Sequence, residues 1–284
     1  MAKILIAGCG YVGSVLGAHL AADLHSVWGM RRRPLVQIAG VTPIGADLAI
    51  PSSLKELPAG LDVVFYMASP GGEDDATYRN AYVNGLRNLL EALEKQGQRP
   101  SRVIFVSSTS VYAQQDGEWV DETSPTEPEA FGGRRLLEGE QVLFDGPYSG
   151  VVVRLGGIYG PRRIQLIDRV RSGRAEYASG RPRYTNRIHR DDCAGVLRHV
   201  MSLPDPARVY LGVDSDPADD LSVLRWLSGA LGAQPPRKLK AGAVKRRAQR
   251  GNKRCRNDRL LESGYKFRYP TFREGYHELI AGIV

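Results

Sequence analysis

The chain has 284 residues, 42% of them hydrophobic and 25% charged, with a formal net charge of +8. That is room for one large α/β domain or a domain plus a small lobe, at an ordinary globular composition. No run of about 18 apolar residues occurs, which excludes a membrane-spanning helix. Cys9, Cys193 and Cys255 are far apart in sequence, which excludes a disulfide framework or a zinc site and fits a reducing cytoplasm.

The apolar N-terminus has no basic leader and runs directly into a glycine turn, so it reads as structure and not as a signal peptide. Lys3 to Ala7 is a short apolar run, expected as a buried parallel strand. Tyr11 to Asp23 has helical spacing, with Val12, Val15, Leu16, His19 and Leu20 on one face. Ser26 to Met30, Val41 to Gly45 and Asp62 to Ala68 read as the second, third and fourth strands. Thr77 to Gln96 is a long amphipathic helix, Arg102 to Ser107 a fifth strand, Phe131 to Phe144 a helix, and Gly150 to Leu155 a sixth strand. Strands alternating with helices imply parallel pairing through right-handed crossovers, so the fold class is a Rossmann-type doubly wound α/β sheet. Past Gly160 the pattern loosens, with helices expected at Arg187 to Met201 and Leu221 to Leu231 and a strand at Val209 to Val213. The expected organisation is a dinucleotide-binding core over 1–160 and a smaller substrate lobe over 161–284, interleaved with the core.

Charge is concentrated late in the chain. Arg237 to Arg259 holds eleven Lys/Arg and one acid, Asp258, a net of +10, so the other residues sum to −2. Such a segment suits an anionic substrate, a nucleic acid or a membrane surface, or is simply a solvated face. It has no aromatic platform or groove-reading motif, so neither a nucleic acid nor a membrane is expected as partner.

Gly8, Gly10 and Gly13 follow a strand and open a helix, the context that a G-x-G-x-x-G dinucleotide site requires. Gly8 permits the tight turn, Gly10 lets backbone approach the pyrophosphate over the helix N-terminus, and Gly13 lets helix and strand pack closely; Tyr11 and Val12 complete the turn. An NAD site usually has Asp or Glu at the end of the second strand. Here the residues are Arg31, Arg32 and Arg33, and guanidinium groups suit the 2′-phosphate of NADP, with NAD the less favoured cofactor. The alternative is an exposed basic turn.

Together these motifs resemble the extended and atypical short-chain dehydrogenases/reductases, the NAD(P)-dependent epimerase/dehydratase family. Asp47-Leu48 resembles the pair that contacts adenine, and Met67-Ala68-Ser69 the loop that borders the cofactor. Phe105 to Tyr112, with Ser107 and Ser108, is similar to the family's S-S-x-x-V-Y segment. Asp121 to Pro125 matches D-E-x-x-P, Arg154 to Pro161 matches R-x-x-x-x-Y-G-P, and Asn186 to Asp192 matches the late R-I-H-x-x-D segment. The spacing of the glycines resembles the atypical branch. Lys253-Arg254-Cys255 with Asn257, Gly264-Tyr265 and Tyr269-Pro270 resembles an atypical bacterial subgroup.

The resemblance implies a Ser/Thr, a Tyr and a Lys in the active site. Ser108 takes the serine position, or else is a strand-end hydroxyl that satisfies backbone. The Tyr-x-x-x-Lys pair is missing. Alignment on Glu140 puts Gly132 and Leu136 at its positions, and a one-residue shift puts Phe131 and Arg135 there. Phe has no hydroxyl, and Arg does not exchange protons near neutral pH. Tyr82 to Leu86 likewise departs from N-V-x-G-T. Tyr112, Tyr159, Tyr184 and His189 are the candidate substitutes. His189 is favoured because an unperturbed imidazole titrates near neutrality, and its alternative is a structural hydrogen-bonding residue. No nucleophile triad or metal-ligand cluster stands out. The expected function is an NADP(H)-binding oxidoreductase or epimerase acting on a carbonyl or hydroxyl small molecule that could be anionic, with a non-catalytic NADP(H) sensor or scaffold as the alternative. A cytoplasmic location and a homodimer through the two long helices are the further expectations.

Overall fold

Seven strands form one parallel sheet in the order Val209–Gly212, Gly150–Leu155, β5 (Arg102–Ser108), β4 (Val63–Tyr66), β1 (Lys3–Ala7), β2 (Ser26–Arg31), β3 (Val41–Gly45). The structure is a computed structural model and describes residues 1–33, 38–239 and 251–282. In β1, Ile4, Leu5 and Ile6 are fully buried, as are Val64 and Phe65 in β4 and Ile104 and Phe105 in β5. Strands covered on both faces need this unbroken apolar character. β1 pairs in parallel with β2 on one side and β4 on the other, so the chain order reverses at β1. Ligands of open α/β sheets bind beyond the carboxyl ends of the strands at such a reversal.

Helices α1 (Gly13–Ala22), α3 (Gly85–Lys95) and α4 (Phe131–Asp145) follow the expected segments. α3 buries Leu86, Leu89, Leu90 and Leu93, an i, i+3, i+4, i+7 stripe worth roughly 1.5–3 kcal/mol per leucine. The long helix expected from Thr77 starts earlier, as α2 (Asp75–Arg79), because the Asp74 carboxylate caps the Thr77 amide. α2 runs into α3 through a π turn over Asn80–Asn84. Tyr66, at the end of β4, donates its hydroxyl to the Ala81 carbonyl at 2.5 Å. A β-carbon on Gly85 would lie 2.5 Å from that hydroxyl, so the glycine admits it. An inserted polar group of this kind widens a helical turn locally.

The contacts group the described chain into two units. The Rossmann unit comprises residues 1–111, 127–154 and 194–210, and the second unit comprises 112–126, 155–193 and 211 onward. The second unit has its own core, including Tyr159, Ile167, Val223, Leu227, Phe272 and Tyr276. Two-strand parallel pairs join Gly157–Tyr159 to Arg187–His189 and Glu118–Val120 to Lys253–Cys255. The first pair corrects the expected helix at Arg187: residues Arg187–His189 are a strand, and the helix spans Arg190–Ser202. Strand pairing holds this segment extended, and the His189 Nδ1 accepts the Asp191 amide at the helix start.

In the second unit the late motifs prove to be anchors. The buried Asp192 carboxylate accepts the Tyr265 hydroxyl at 2.9 Å and the amides of Arg268 and Tyr269 at 2.8 and 2.9 Å. Asn257 donates to the Val213 carbonyl and Ser215 Oγ, both at 3.0 Å. Glu122 of the D-E-x-x-P stretch accepts the Leu211 amide at 2.9 Å. Part of the basic segment, 240–250, lies outside the described residues. Its described flank is engaged: Lys253 is buried with its Nζ donating to the Tyr112 carbonyl, and the Arg254 guanidinium lies 4.7 Å from the Trp119 and Tyr184 ring centres.

Candidate cofactor site and active site

Gly8 has φ +95°, and a β-carbon on it would lie 2.5 Å from the Met67 carbonyl carbon and 2.6 Å from the Ala68 nitrogen. Only glycine fits this turn, which brings the end of β1 against the loop after β4. The amides of Gly8 and Cys9 both donate to the Met30 carbonyl, at 3.0 and 2.9 Å, tying the turn to β2. A β-carbon on Gly13 would meet Ile6 Cγ2 at 3.1 Å, so α1 packs tightly on β1. Around Gly10 such an atom would find only the Gly8 carbonyl oxygen, 3.8 Å away. The first turn of α1 holds no acid. An open backbone at an acid-free helix N-terminus fits a pyrophosphate.

Arg31 ends β2 half-buried, and Arg32 and Arg33 are exposed. A β-carbon on Gly71 would lie 3.4 Å from Arg32 Nη2, so this guanidinium borders the loop after β4. Beside Arg31, the Cys9 thiol is pushed up to about 11 by burial, with the guanidinium pulling the other way. At the end of β3, Asp47 turns one carboxylate oxygen onto the Ala49 amide at 3.0 Å, and the Leu48 carbonyl accepts from Asn88 at 2.8 Å. Met67 and Ala68 are half-buried and Ser69 is exposed. The structure thus brings Gly8, Gly10, Tyr11, Val12, Gly13, Met67 and Ala68 to one edge of the Rossmann unit, where Arg32 joins the loop of Met67 and Ser69.

Ser107 and Ser108 end β5 and differ in state. Ser107 is buried and donates its hydroxyl to Glu140 Oε1 at 2.6 Å. Glu140 is held by Arg154 through two hydrogen bonds, Nε to Oε1 at 3.0 Å and Nη2 to Oε2 at 2.6 Å. The Ser107 hydroxyl proton is therefore engaged by Glu140 and is not available to donate to a cofactor. Ser108 is half-buried, and its Oγ accepts the Ser110 amide at 3.1 Å, which leaves the O–H proton to give.

His189 is in the second unit, 2% exposed. Its ring packs against Tyr269 at a tilt of 53° with centres 4.1 Å apart and stands edge-on to Tyr159 at 5.3 Å. With Nδ1 accepting the Asp191 amide, the imidazole works as a helix cap in a packed aromatic cluster, and burial lowers its pKa. Tyr159 is 5% exposed, and Gly275 leaves room for its hydroxyl. Burial raises that hydroxyl far above the usual phenol range. The Tyr112 side chain is also buried, at 2%.

At the positions of the absent Tyr-x-x-x-Lys pair, Gly132 is half-buried and Leu136 is core. Arg135 donates from Nε and Nη2 to the two Asp75 oxygens at 2.8 and 2.7 Å, and also pairs with Glu138. Nothing in the local pattern around Gly132 marks the residue that faces it. It is Tyr78, on α2, which only the packing of the two helices reveals.

The fold and its glycine turn define a Rossmann-type dinucleotide-binding protein of the short-chain dehydrogenase/reductase kind. Residues 4–208 match the model of the NAD dependent epimerase/dehydratase family, and the chain belongs to that family. It is 31% identical over 246 residues to a Stigmatella aurantiaca 4-hydroxy-2-methyl-3-oxo-4-farnesyl-3,4-dihydroquinoline-1-oxide ketoreductase, covering 80% of this chain and 72% of the relative. Among solved structures it is similar to a Methylobacillus flagellatus protein provisionally described as an NAD-dependent epimerase/dehydratase. That match has a TM-score of 0.82 and 37% identity, over 99% of this chain and 98% of the other. The human epimerase family protein SDR39U1 (isoform 2), solved with NADPH, shares the fold at a TM-score of 0.81 and 21% identity, over 98% and 99% of the two chains. Among the described residues no helix is long and apolar enough to cross a membrane.

Proposed function

We propose that this chain is an NADP(H)-dependent oxidoreductase that reduces a carbonyl group of a small molecule, or oxidises the corresponding alcohol. The observation that carries the cofactor choice is the run Arg31-Arg32-Arg33 at the end of β2, with no acid there and with Arg32 beside the loop after β4. Gly8, Gly10 and Gly13, with the Tyr11 and Val12 backbone, hold the pyrophosphate at the α1 N-terminus. Arg31 and Arg32 take the 2′-phosphate through charge-assisted hydrogen bonds. Asp47 and Leu48 border the adenine, and Met67, Ala68 and Ser69 with the Ser107 backbone border the rest of the dinucleotide.

When bound, the reduced nicotinamide supplies a hydride. Ser108 Oγ gives its proton in a hydrogen bond to the substrate oxygen. The ketoreductase relative supports carbonyl reduction over epimerisation. The basic residues beyond Arg237 favour an anionic substrate, the location is cytoplasmic, and the chain pairs as a homodimer through α3 and α4.

Calorimetric titration tests the cofactor assignment: NADPH binds at least tenfold more tightly than NADH, and equal binding overturns it. A panel of ketones, with NADPH oxidation as readout, tests the reaction. Ser108→Ala lowers kcat on whichever ketone turns over, and an unchanged rate removes Ser108 from the mechanism.

A further inference from the structure

In the register aligned on Glu140 the missing tyrosine falls at Gly132, and the space beside Gly132 is filled by another tyrosine. A β-carbon on Gly132 would lie 3.0 Å from Cε1, 3.4 Å from Cδ1 and 3.9 Å from Cζ of Tyr78. Gly132 and Tyr78 are thus matched: a side chain on α4 at this point would collide with the Tyr78 ring. The ring is held edge-on by Phe131, with centres 5.2 Å apart, and by Tyr82 at 5.7 Å. Tyr82 in turn stands edge-on to Phe105 of β5 at 6.4 Å. The Arg135–Asp75 pair bridges the same two helices, with Asp75 one turn before Tyr78 and Arg135 one turn after Gly132.

Tyr78 is also near the right edge of the sheet. Its helix is entered from the loop after β4. The residue after Gly132, Gly133, sits against the Ser110 carbonyl, where a β-carbon would approach to 2.7 Å. Ser110 is two residues past Ser108, so Tyr78 and Ser108 flank the start of α4 at the carboxyl ends of β4 and β5. Among the described residues the Tyr78 hydroxyl has no hydrogen-bond partner, and the residue is half-buried. Tyr82 differs: burial pushes its hydroxyl up to about 12, and its ring lies between Tyr78 and Phe105.

We propose that Tyr78 is the proton donor of this protein, supplied from α2 into the space that Gly132 leaves open. The inference rests on the reductase reading above. As the carbonyl carbon gains a hydride from the reduced nicotinamide, the C=O π pair moves onto oxygen. That oxygen takes the proton from Tyr78 Oη, Ser108 holds the same oxygen, and water returns a proton to the Tyr78 phenolate. In the oxidative direction the same proton returns to Tyr78.

Two measurements on the full chain test this. Tyr78→Phe keeps the ring that Gly132 accommodates, so it retains the wild-type Tm and NADPH affinity while kcat falls about 10²–10⁴-fold; Tyr82→Phe stays within about threefold of wild type. Independently of turnover, nitration by tetranitromethane, read by mass spectrometry, marks accessible tyrosines, and saturating NADP abolishes labelling of Tyr78. Wild-type turnover by Tyr78→Phe, or equal labelling of Tyr78 with and without NADP, overturns the proposal. A wild-type chain that turns over no ketone, yet has Tyr78 protected by NADP, removes the reductase reading and the proton-donor role with it, and leaves Tyr78 beside the bound dinucleotide.

Discussion

Glu140 and Arg154 form a two-pronged ion pair inside the Rossmann unit, with side chains 4% and 7% exposed, and Ser107 donates to the same carboxylate. The pair links α4 to the strand Gly150–Leu155. Glu140→Gln removes the carboxylate charge that the two Arg154 hydrogen bonds hold, and losing one partner of a buried ion pair typically costs about 3–5 kcal/mol. Urea denaturation of Glu140→Gln is expected to show a loss of that order. The double variant Glu140→Met/Arg154→Met recovers most of it, because two apolar side chains leave no orphan charge. A single variant as stable as wild type would contradict this account.

The three turn glycines separate into different failures. Gly8→Ala places a side chain at φ +95° and against the Met67–Ala68 backbone. The backbone strain alone costs about 1–2 kcal/mol, and the clash adds to it. Gly10→Ala meets open space, so its fold is unchanged while NADPH binding weakens. Thermal unfolding and NADPH fluorescence titration on both variants separate the cases. Loss of stability in Gly10→Ala but not in Gly8→Ala would reverse the assignment.

Arg32 sets cofactor choice in the proposed reading. Removing one guanidinium–phosphate contact costs about 1.5–3 kcal/mol, roughly 10- to 150-fold in affinity. Arg32→Ala therefore weakens NADPH binding by that factor and leaves NADH binding unchanged. A parallel loss for both cofactors would assign Arg32 to the fold or to the pyrophosphate instead.

The sheet was legible because its signals are local. The apolar runs of β1, β4 and β5 and the glycines beside them sit in consecutive residues, and β3 and the strand Gly150–Leu155 fall where the pattern places them. What stayed hidden depends on partners far away in sequence. Arg187–His189 carries helix-like spacing but is held extended by Gly157–Tyr159. The π turn arises from Tyr66, about fifteen residues upstream of the carbonyl that it bonds. The absence of tyrosine at Gly132 is plain in the sequence, yet nothing there points to Tyr78, because the match is made across two helices. Ser107 and Ser108 look alike in the motif, and only Glu140 and Arg154 distinguish them.

The pH dependence of stability carries a signature of His189. The imidazole is buried between Tyr159 and Tyr269, and desolvation lowers its pKa, against the pull of Asp191, Asp192 and Glu278 and with the push of Arg190. In the unfolded chain the value is about 6.5. Between the lowered folded value and about 6.5 the unfolded state binds the extra proton, so stability rises with pH across this window. The contribution is complete above about 6.5 and is lost as pH falls through the window toward the folded value. His189→Asn can keep an acceptor for the Asp191 amide and has no proton to take up. The stability difference between wild type and His189→Asn, from urea unfolding at pH 5 to 7.5, is therefore expected to shrink on acidification. Its slope is limited to one proton, about 1.36 kcal/mol per pH unit. Other titrating groups, such as Asp214, whose carboxyl burial raises well above the carboxylate range, act in both proteins and cancel in the difference. A difference constant across this range would mean that His189 titrates alike in the folded and unfolded chains, and the account of a desolvated cap would fall.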